Sequence, residues 1–202
     1  MLYSMSSGRP DTRIAILDAA RALFEEQGYF GAGLEAVAKK AGVSRQAIYL
    51  HFASKGDLLT ELHLRIYETD VVPALERNPI WTKPTALDAL DAAIAVDAEV
   101  ASKVWAIHEA LVVARRHFPE VDDTLRPRED ERYQELVRLG RWLKKEHNLP
   151  PRMEAGTFAD MLWGLNSLGT FQNLVIERQW SVDRYVSWVR DTIRLQLGIE
   201  RT

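Results

Sequence analysis

The chain has 202 residues, 47% of them hydrophobic, and a formal net charge of −3. That length and apolar content support one large helical domain, or a small domain with a larger one, and exclude wholesale disorder. The lack of cysteine excludes a disulfide scaffold, thiolate zinc sites and a cysteine nucleophile, and it fits a cytoplasmic protein. No run approaches the roughly 20 apolar residues of a membrane span. The opening residues hold no apolar stretch of the signal-peptide kind, so no membrane partner is expected. Residues 1–60 carry seven Lys/Arg against six Asp/Glu, and the remainder 19 against 23. So weak an asymmetry does not announce a nucleic-acid binder, and any such reading has to rest on a local motif.

Residues 1–10 are small and polar and read as a flexible arm, with Met5 an alternative start to Met1. Helical spacing dominates from there. Ile14, Leu17, Ala20 and Phe24 line one face of a first helix, with Asp11 or Thr12 as its cap and Gly28 as its end. Leu34, Val37, Ala38 and Ala41 give a short second helix. Gly42-Val43 makes a turn, and Ser44 caps a third helix to about Phe52, with Ile48 and Phe52 inward. Ser54 caps a fourth, Lys55 to about Glu76, which Pro73 ends or kinks. Further helices follow Pro84, run to Phe118, span roughly Pro127 to His147, and cover about Arg152 to Arg178 and Ser181 to Leu197. No strand alternation is visible, and the expected fold class is all-α.

The most informative stretch is Ala41 to Lys55, A-G-V-S-R-Q-A-I-Y-L-H-F-A-S-K. It has the layout of the second half of a helix-turn-helix: a tight turn, a capping serine, then a short helix with basic, amide and phenol groups outward. Ser44 satisfies an orphan amide at a helix start that also favours a phosphate. Arg45 and Tyr49, four apart, share a face. Arg45 suits a paired hydrogen bond to guanine and Gln46 one to adenine, each discriminating by about 1–3 kcal/mol.

Ala41, Gly42, Val43, Ser44, Tyr49, His51, Phe52 and Lys55, with Gly28-Tyr29 after the first helix, resemble the TetR family of one-component bacterial repressors over about residues 12–60. The resemblance implies a three-helix N-terminal helix-turn-helix DNA-binding domain, residues 11–54, followed by a larger helical ligand-binding and dimerisation domain, residues 55–202. It implies backbone contacts from Tyr49, His51 and Lys55, while Arg9 reaches a phosphate or the minor groove from the arm. Where the family commonly opens its second helix with two threonines, this sequence has Ala32 and Gly33, which puts one phosphate contact in doubt. Gln46 stands where many relatives carry glycine, so the operator sequence is not transferable.

The last two helices are apolar on more than one face and so need two partners. One is the chain's own core. The other is the same helix pair of a second copy, in a twofold interface that the resemblance also implies. Phe158, Leu162, Leu165, Gly169, Tyr185, Trp188, Val189 and Thr192 are the candidate residues, with Gly164 and Gly169 allowing close approach. Two recognition helices on a twofold axis match a palindromic operator on double-stranded DNA.

All six tryptophans lie after residue 80. The family has a small-molecule pocket in its larger domain, and such pockets are mostly apolar with a few polar groups. Trp105, His108, Trp142, Trp163 and Asn166 are the candidates to line it around an unknown effector.

There is no G-x-S-x-G, Walker loop or H-E-x-x-H, and the five histidines share no short metal spacing. No catalytic residues, metal or cofactor are expected. The alternatives to a repressor are a helical protein-interaction module that turns the helix-turn-helix to a protein partner, and a regulator acting as an activator.

Overall fold

A computed structural model describes residues 12–199, which fall into two compact units. One comprises the described residues up to Arg65 together with Ala106–Thr124; the other comprises Ile66–Trp105 and the described residues from Leu125 onward. Every regular element among the described residues is helical, and none of these helices is long and apolar enough to cross a membrane.

The first unit is built on α1 (Thr12–Gly31), α2 (Leu34–Ala41), α3 (Arg45–His51) and α4 (Lys55–Ile66). Helix α1 buries Ile16, Leu17, Ala20, Leu23 and Phe24, a stripe of helical period. Ile14, expected inward, is 36% exposed; the stripe turns on Ile16 instead. The helix kinks at Gly28, whose φ of 70° and ψ of 174° are not helical. Thr12 opens it, and Asp11, the alternative cap, lies outside the described residues, as do Arg9, Met1 and Met5.

Helix α2 ends on Gly42 at φ 70°. The Gly42 amide donates to the Lys39 carbonyl at 3.3 Å and the Val43 amide to the Ala38 carbonyl at 3.0 Å. This pattern needs a left-handed residue, which glycine supplies without a Cβ penalty. Helix α3 is capped as expected: the Ala47 amide donates to Ser44 Oγ at 3.1 Å. At α4 the Asp57 amide donates to Ser54 Oγ at 2.9 Å and the Ala53 amide to Asp57 Oδ2 at 2.8 Å, a reciprocal cap. Ile48, Phe52, Leu58, Leu59 and Leu62 close the core against α1.

Beyond α4 the helix widens into a π-turn at Tyr67–Val71 before α5 (Val72–Arg77). Pro73 has no amide to donate and its ring crowds the carbonyl four residues back. The wider turn before it carries the chain on where the sequence reading left a kink or an end.

The second unit contains residues 66–105, so most of α6 (Ala86–Ala114), and most of α7 (Pro119–Lys145), α8 (Ala155–Leu165), α9 (Leu168–Phe171) and α10 (Val182–Gln196). The sequence reading broke α6 into two helices and began α7 at Pro127. In the structure α6 is continuous and α7 starts eight residues earlier, with Pro127 inside it. Thr85, not Pro84, caps α6: the Asp88 amide donates to Thr85 Oγ1 at 3.1 Å. Ala86, Ala89, Leu90, Ala93 and Ile94 of α6 pack with Leu139 and Leu143 of α7, Phe158 and Leu162 of α8, and Tyr185, Val189 and Ile193 of α10. Helices α7 and α8 meet at Gly140, where a Cβ would stand 2.8 Å from the Ala155 carbonyl oxygen.

The single helix expected over about Arg152 to Arg178 is interrupted. Helix α8 starts at Ala155 and stops at Asn166, whose φ of −102° and ψ of 42° leave the helical region. Ser167 then caps α9, accepting from the Thr170 amide at 3.0 Å. A π-turn at Gln172–Glu177 completes the segment. The hydroxyls of Ser167 and Thr170 supply the backbone bonds that a continuous helix would have made.

Candidate nucleic-acid interface

Ile48 and Phe52 are buried, which turns Arg45, Gln46, Tyr49 and Leu50 outward from α3. Arg45 and Tyr49 form a unit on that surface. The Arg45 guanidinium donates to the Tyr49 hydroxyl at 3.2 Å and lies 5.7 Å from the ring centroid. This hydrogen bond raises the guanidinium further above its ordinary value, so Arg45 is a fixed cation held to one side of the helix. Gln46 and His51 are exposed, and Ser44 has its oxygen on the Ala47 amide. The arrangement offers a cation, an amide and a phenol on one short, capped helix, the chemistry that reads base edges and grips phosphates in a major groove.

Lys55 departs from its expected role. Its Nζ donates to the Tyr29 carbonyl oxygen and lies 4.3 Å from the Tyr29 ring centroid and 5.7 Å from that of Phe24. Burial lowers its ammonium below the ordinary value. The Gly28 kink brings the Tyr29 carbonyl to the start of α4, so Lys55 ties α4 to the end of α1 instead of standing free for a phosphate. Tyr29 also packs edge-on to Phe118, with centroids 5.8 Å apart. The first unit thereby includes the turn between α6 and α7.

The effector candidates separate into distinct surroundings. Trp105 packs on the core of the second unit, while His108 belongs to the segment grouped with the first. Trp142 stacks on Trp81 at 6.4 Å. Its indole donates to Glu146 Oε1 at 2.7 Å, and Glu146 Oε2 accepts the Ala86 amide at 2.9 Å. The polar edge of Trp142 thus supports the cap of α6 and is not offered to a ligand.

Trp163 and Asn166 do come together, around Arg132. The guanidinium lies 4.8 Å from the Trp163 ring centroid and donates to Asp97 Oδ2 at 2.9 Å and to the Asn166 carbonyl at 2.8 Å. Asn166 Nδ2 donates to Asp97 Oδ2 at 2.8 Å, and the Tyr185 hydroxyl donates to the Leu165 carbonyl at 3.2 Å. Burial, then the negative charge of Asp97, push the Tyr185 phenol well above its ordinary value. Asn166 is 4% exposed, so its amide serves this internal network. Asp97 and Arg132 were missed from sequence. The signal was an acid directly after the apolar run Ala92–Val96, which a helix face turned toward the core must neutralise.

Among the interface candidates, Phe158, Leu162, Tyr185 and Val189 fill the second unit's own core and leave no surface for another copy. Leu165, Trp188 and Thr192 are half-buried and Gly169 is exposed. Neither Gly164 nor Gly169 makes a close approach within the protomer. Trp188 and Thr192 line a groove of about 570 Å³ with Trp180, Arg184, Leu195 and Ile199. Leu195 there is 74% exposed.

The family described as bacterial regulatory proteins, tetR family, matches residues 16–62, which span the core and the capped α3 described above. The chain belongs to the TetR family. It is 50% identical over 52 residues to the transcriptional regulator AcrR of Shigella flexneri, covering 26% of this chain and 24% of that one. It is 35% identical over 80 residues to the regulator UidR of Escherichia coli K12, covering 40% of each. The chain thus spans less than half the length of these curated relatives.

Solved structures extend the likeness in fold. A transcriptional regulator from Pseudomonas aeruginosa aligns with a TM-score of 0.76 at 20% identity, over 92% of this chain and 90% of that one. A Bacillus subtilis FadR structure in complex with stearoyl-CoA aligns at 0.71 and 21% identity, over 91% and 98%.

Against the TetR pattern, α2 lacks its usual hydroxyl. Gly33 caps it at φ −81° and ψ 149° with no side-chain bond, and Ala32 is buried.

Proposed function

We propose that this chain is a transcriptional repressor that binds a palindromic operator as a homodimer and is released by a small molecule. The observation that carries the reading is the capped α3 presenting Arg45, Gln46 and Tyr49 outward on a TetR-family domain. Arg45 and Gln46 read bases, and Ser44, Tyr49 and His51 position the helix on phosphates, with Arg9 reaching out from the arm. A second copy covers the α10 groove through Trp188, Thr192 and Leu165, with Gly169 beside it, which sets two α3 helices for successive major grooves.

The effector acts by binding one spacing of the two reading helices more tightly than the other, since only differential affinity shifts such an equilibrium. Trp105, His108 and Trp163 are the residues proposed to face it. Motion of α4 connects effector and reading helix. A relative that is 38% identical over 63 residues, FasR of Mycolicibacterium smegmatis, is a transcriptional activator, which favours activation as the second reading.

Fluorescence anisotropy with the DNA upstream of the chain's own gene, across a salt series, tests the proposal. Tight binding that weakens log-linearly with salt is expected, with loss of sequence preference in Arg45→Ala. Binding no tighter than to random DNA, for every promoter fragment tried, would defeat it. A promoter–reporter strain with and without the gene separates repression from activation.

A further inference from the structure

Leu50 is 79% exposed, the highest value among the large hydrophobic residues of the described chain. A lone exposed leucine on an ordinary surface means nothing. This one lies on α3. Successive helical residues turn by about 100°, so Gln46 and Leu50, each two residues from the buried Ile48, point about 200° away from it. They occupy the crest of the helix, with Arg45 and Tyr49 held to the flank by their mutual hydrogen bond. Anything that meets α3 crest-on meets Gln46 and Leu50 first.

Gln46 and Leu50 are one turn apart, and a turn rises about 5.4 Å. That is between one and two base-pair steps of about 3.4 Å. An apolar side chain in the major groove finds a single apolar feature among the base edges, the C5-methyl group of thymine. Against phosphate, sugar or any other base edge, Leu50 would desolvate polar groups and return no hydrogen bond.

We infer that Leu50 is a specificity-determining residue that reads a thymine methyl group within about two base pairs of the adenine read by Gln46. The inference rests on the DNA-binding reading above and adds the base class that the crest of α3 selects.

The test starts from DNA enriched by the full-length protein from a random-sequence library. Each thymine of the enriched half-site is then replaced singly by deoxyuridine, which removes the methyl group and leaves the Watson–Crick edge. One replacement is expected to weaken wild-type binding about fourfold, the worth of one buried methyl group. Leu50→Ala should bind the thymine-containing site more weakly by at least that factor and be indifferent to the same replacement. Because the replacement alters only the DNA, the wild-type arm stands whatever the variant does. Two results would overturn the assignment while leaving DNA binding intact: no deoxyuridine position matters to the wild type, or Leu50→Ala keeps the full sensitivity. Failure to enrich any sequence would remove the DNA-binding reading itself, and the Leu50 assignment with it.

Discussion

Lys55, at the first position of α4, gives its ammonium to the backbone carbonyl of Tyr29, at the end of α1. The same ammonium sits over the Tyr29 ring, its centroid 4.3 Å away. A cation that closes two helix ends together holds the reading helix in place without touching DNA.

Lys55→Met should therefore change stability and not the electrostatics of binding. A hydrogen bond from a charged donor contributes about 1.5–3 kcal/mol, so thermal unfolding should fall by several degrees. Each phosphate contact adds about 0.9 to the slope of log affinity against log salt. For Lys55→Met that slope should match the wild type, measured by anisotropy below the unfolding range. A slope reduced by about one unit would return Lys55 to the DNA.

Gly33 has room for a side chain: no atom lies within 4 Å of a built Cβ, and its φ of −81° suits any residue. Gly33→Ser should cap α2 and stabilise the protein by a few tenths of a kcal/mol. It should also tighten binding to specific and random DNA by the same factor, since a hydroxyl on a phosphate carries no sequence information. Titration against both DNAs checks this, and a gain confined to the specific site would contradict it.

Gly140 is where α7 and α8 touch. A methyl group there would meet the Ala155 carbonyl oxygen at 2.8 Å and its Cα at 3.0 Å. Both are backbone atoms, so no side chain can swing away. Gly140→Ala should cost about 1–3 kcal/mol, overriding the helix-propensity gain of about 1 kcal/mol. Denaturant unfolding reads the difference; an unchanged or raised midpoint would show that the two helices can separate at no cost.

Glu99 receives hydrogen bonds from Lys103 at 2.8 Å and from Arg77, and these partners, Lys103 first, hold its carboxyl below the ordinary value of 4.5. A depressed carboxylate stabilises the fold above its unfolded pKa and loses that contribution as pH falls through the folded one. The gap in stability between wild type and Glu99→Gln should thus exist at neutral pH and close progressively below about pH 4.5. Because the pair is surface-exposed, the gap should be at most about 1 kcal/mol and shrink in high salt. Unfolding curves at several pH values would reveal a gap that instead widens in acid.

The reading helix was legible because its signals are local. Gly42, Ser44 and the Ile48–Phe52 spacing fix a turn, a cap and an inward face within a dozen residues. The helix joins after residue 80 were not. Pro127 looked like a start, and only tertiary packing shows that α7 absorbs it. Ser167 and Thr170 break what periodicity read as one helix, by hydrogen bonds that apolar spacing does not register. At the candidate sites, side-chain type was read correctly and its direction was not. Lys55 and Asn166 carry polar groups suited to a ligand, yet both are committed to partners far away in sequence, Tyr29 and Asp97. Phe158, Leu162, Tyr185 and Val189 belong to stripes that sequence could not divide between an internal core and an external contact.

The six tryptophans, from Trp81 to Trp188, all fall in the second unit, and the first has none. Nature has in effect labelled one half of this chain. Tryptophan emission observes the second unit alone, while the far-ultraviolet circular dichroism of a helical chain observes both. An unlabelled sample heated once in each instrument would resolve whether the halves melt together. A single new tryptophan at an exposed position of the first unit would give that half an optical voice of its own.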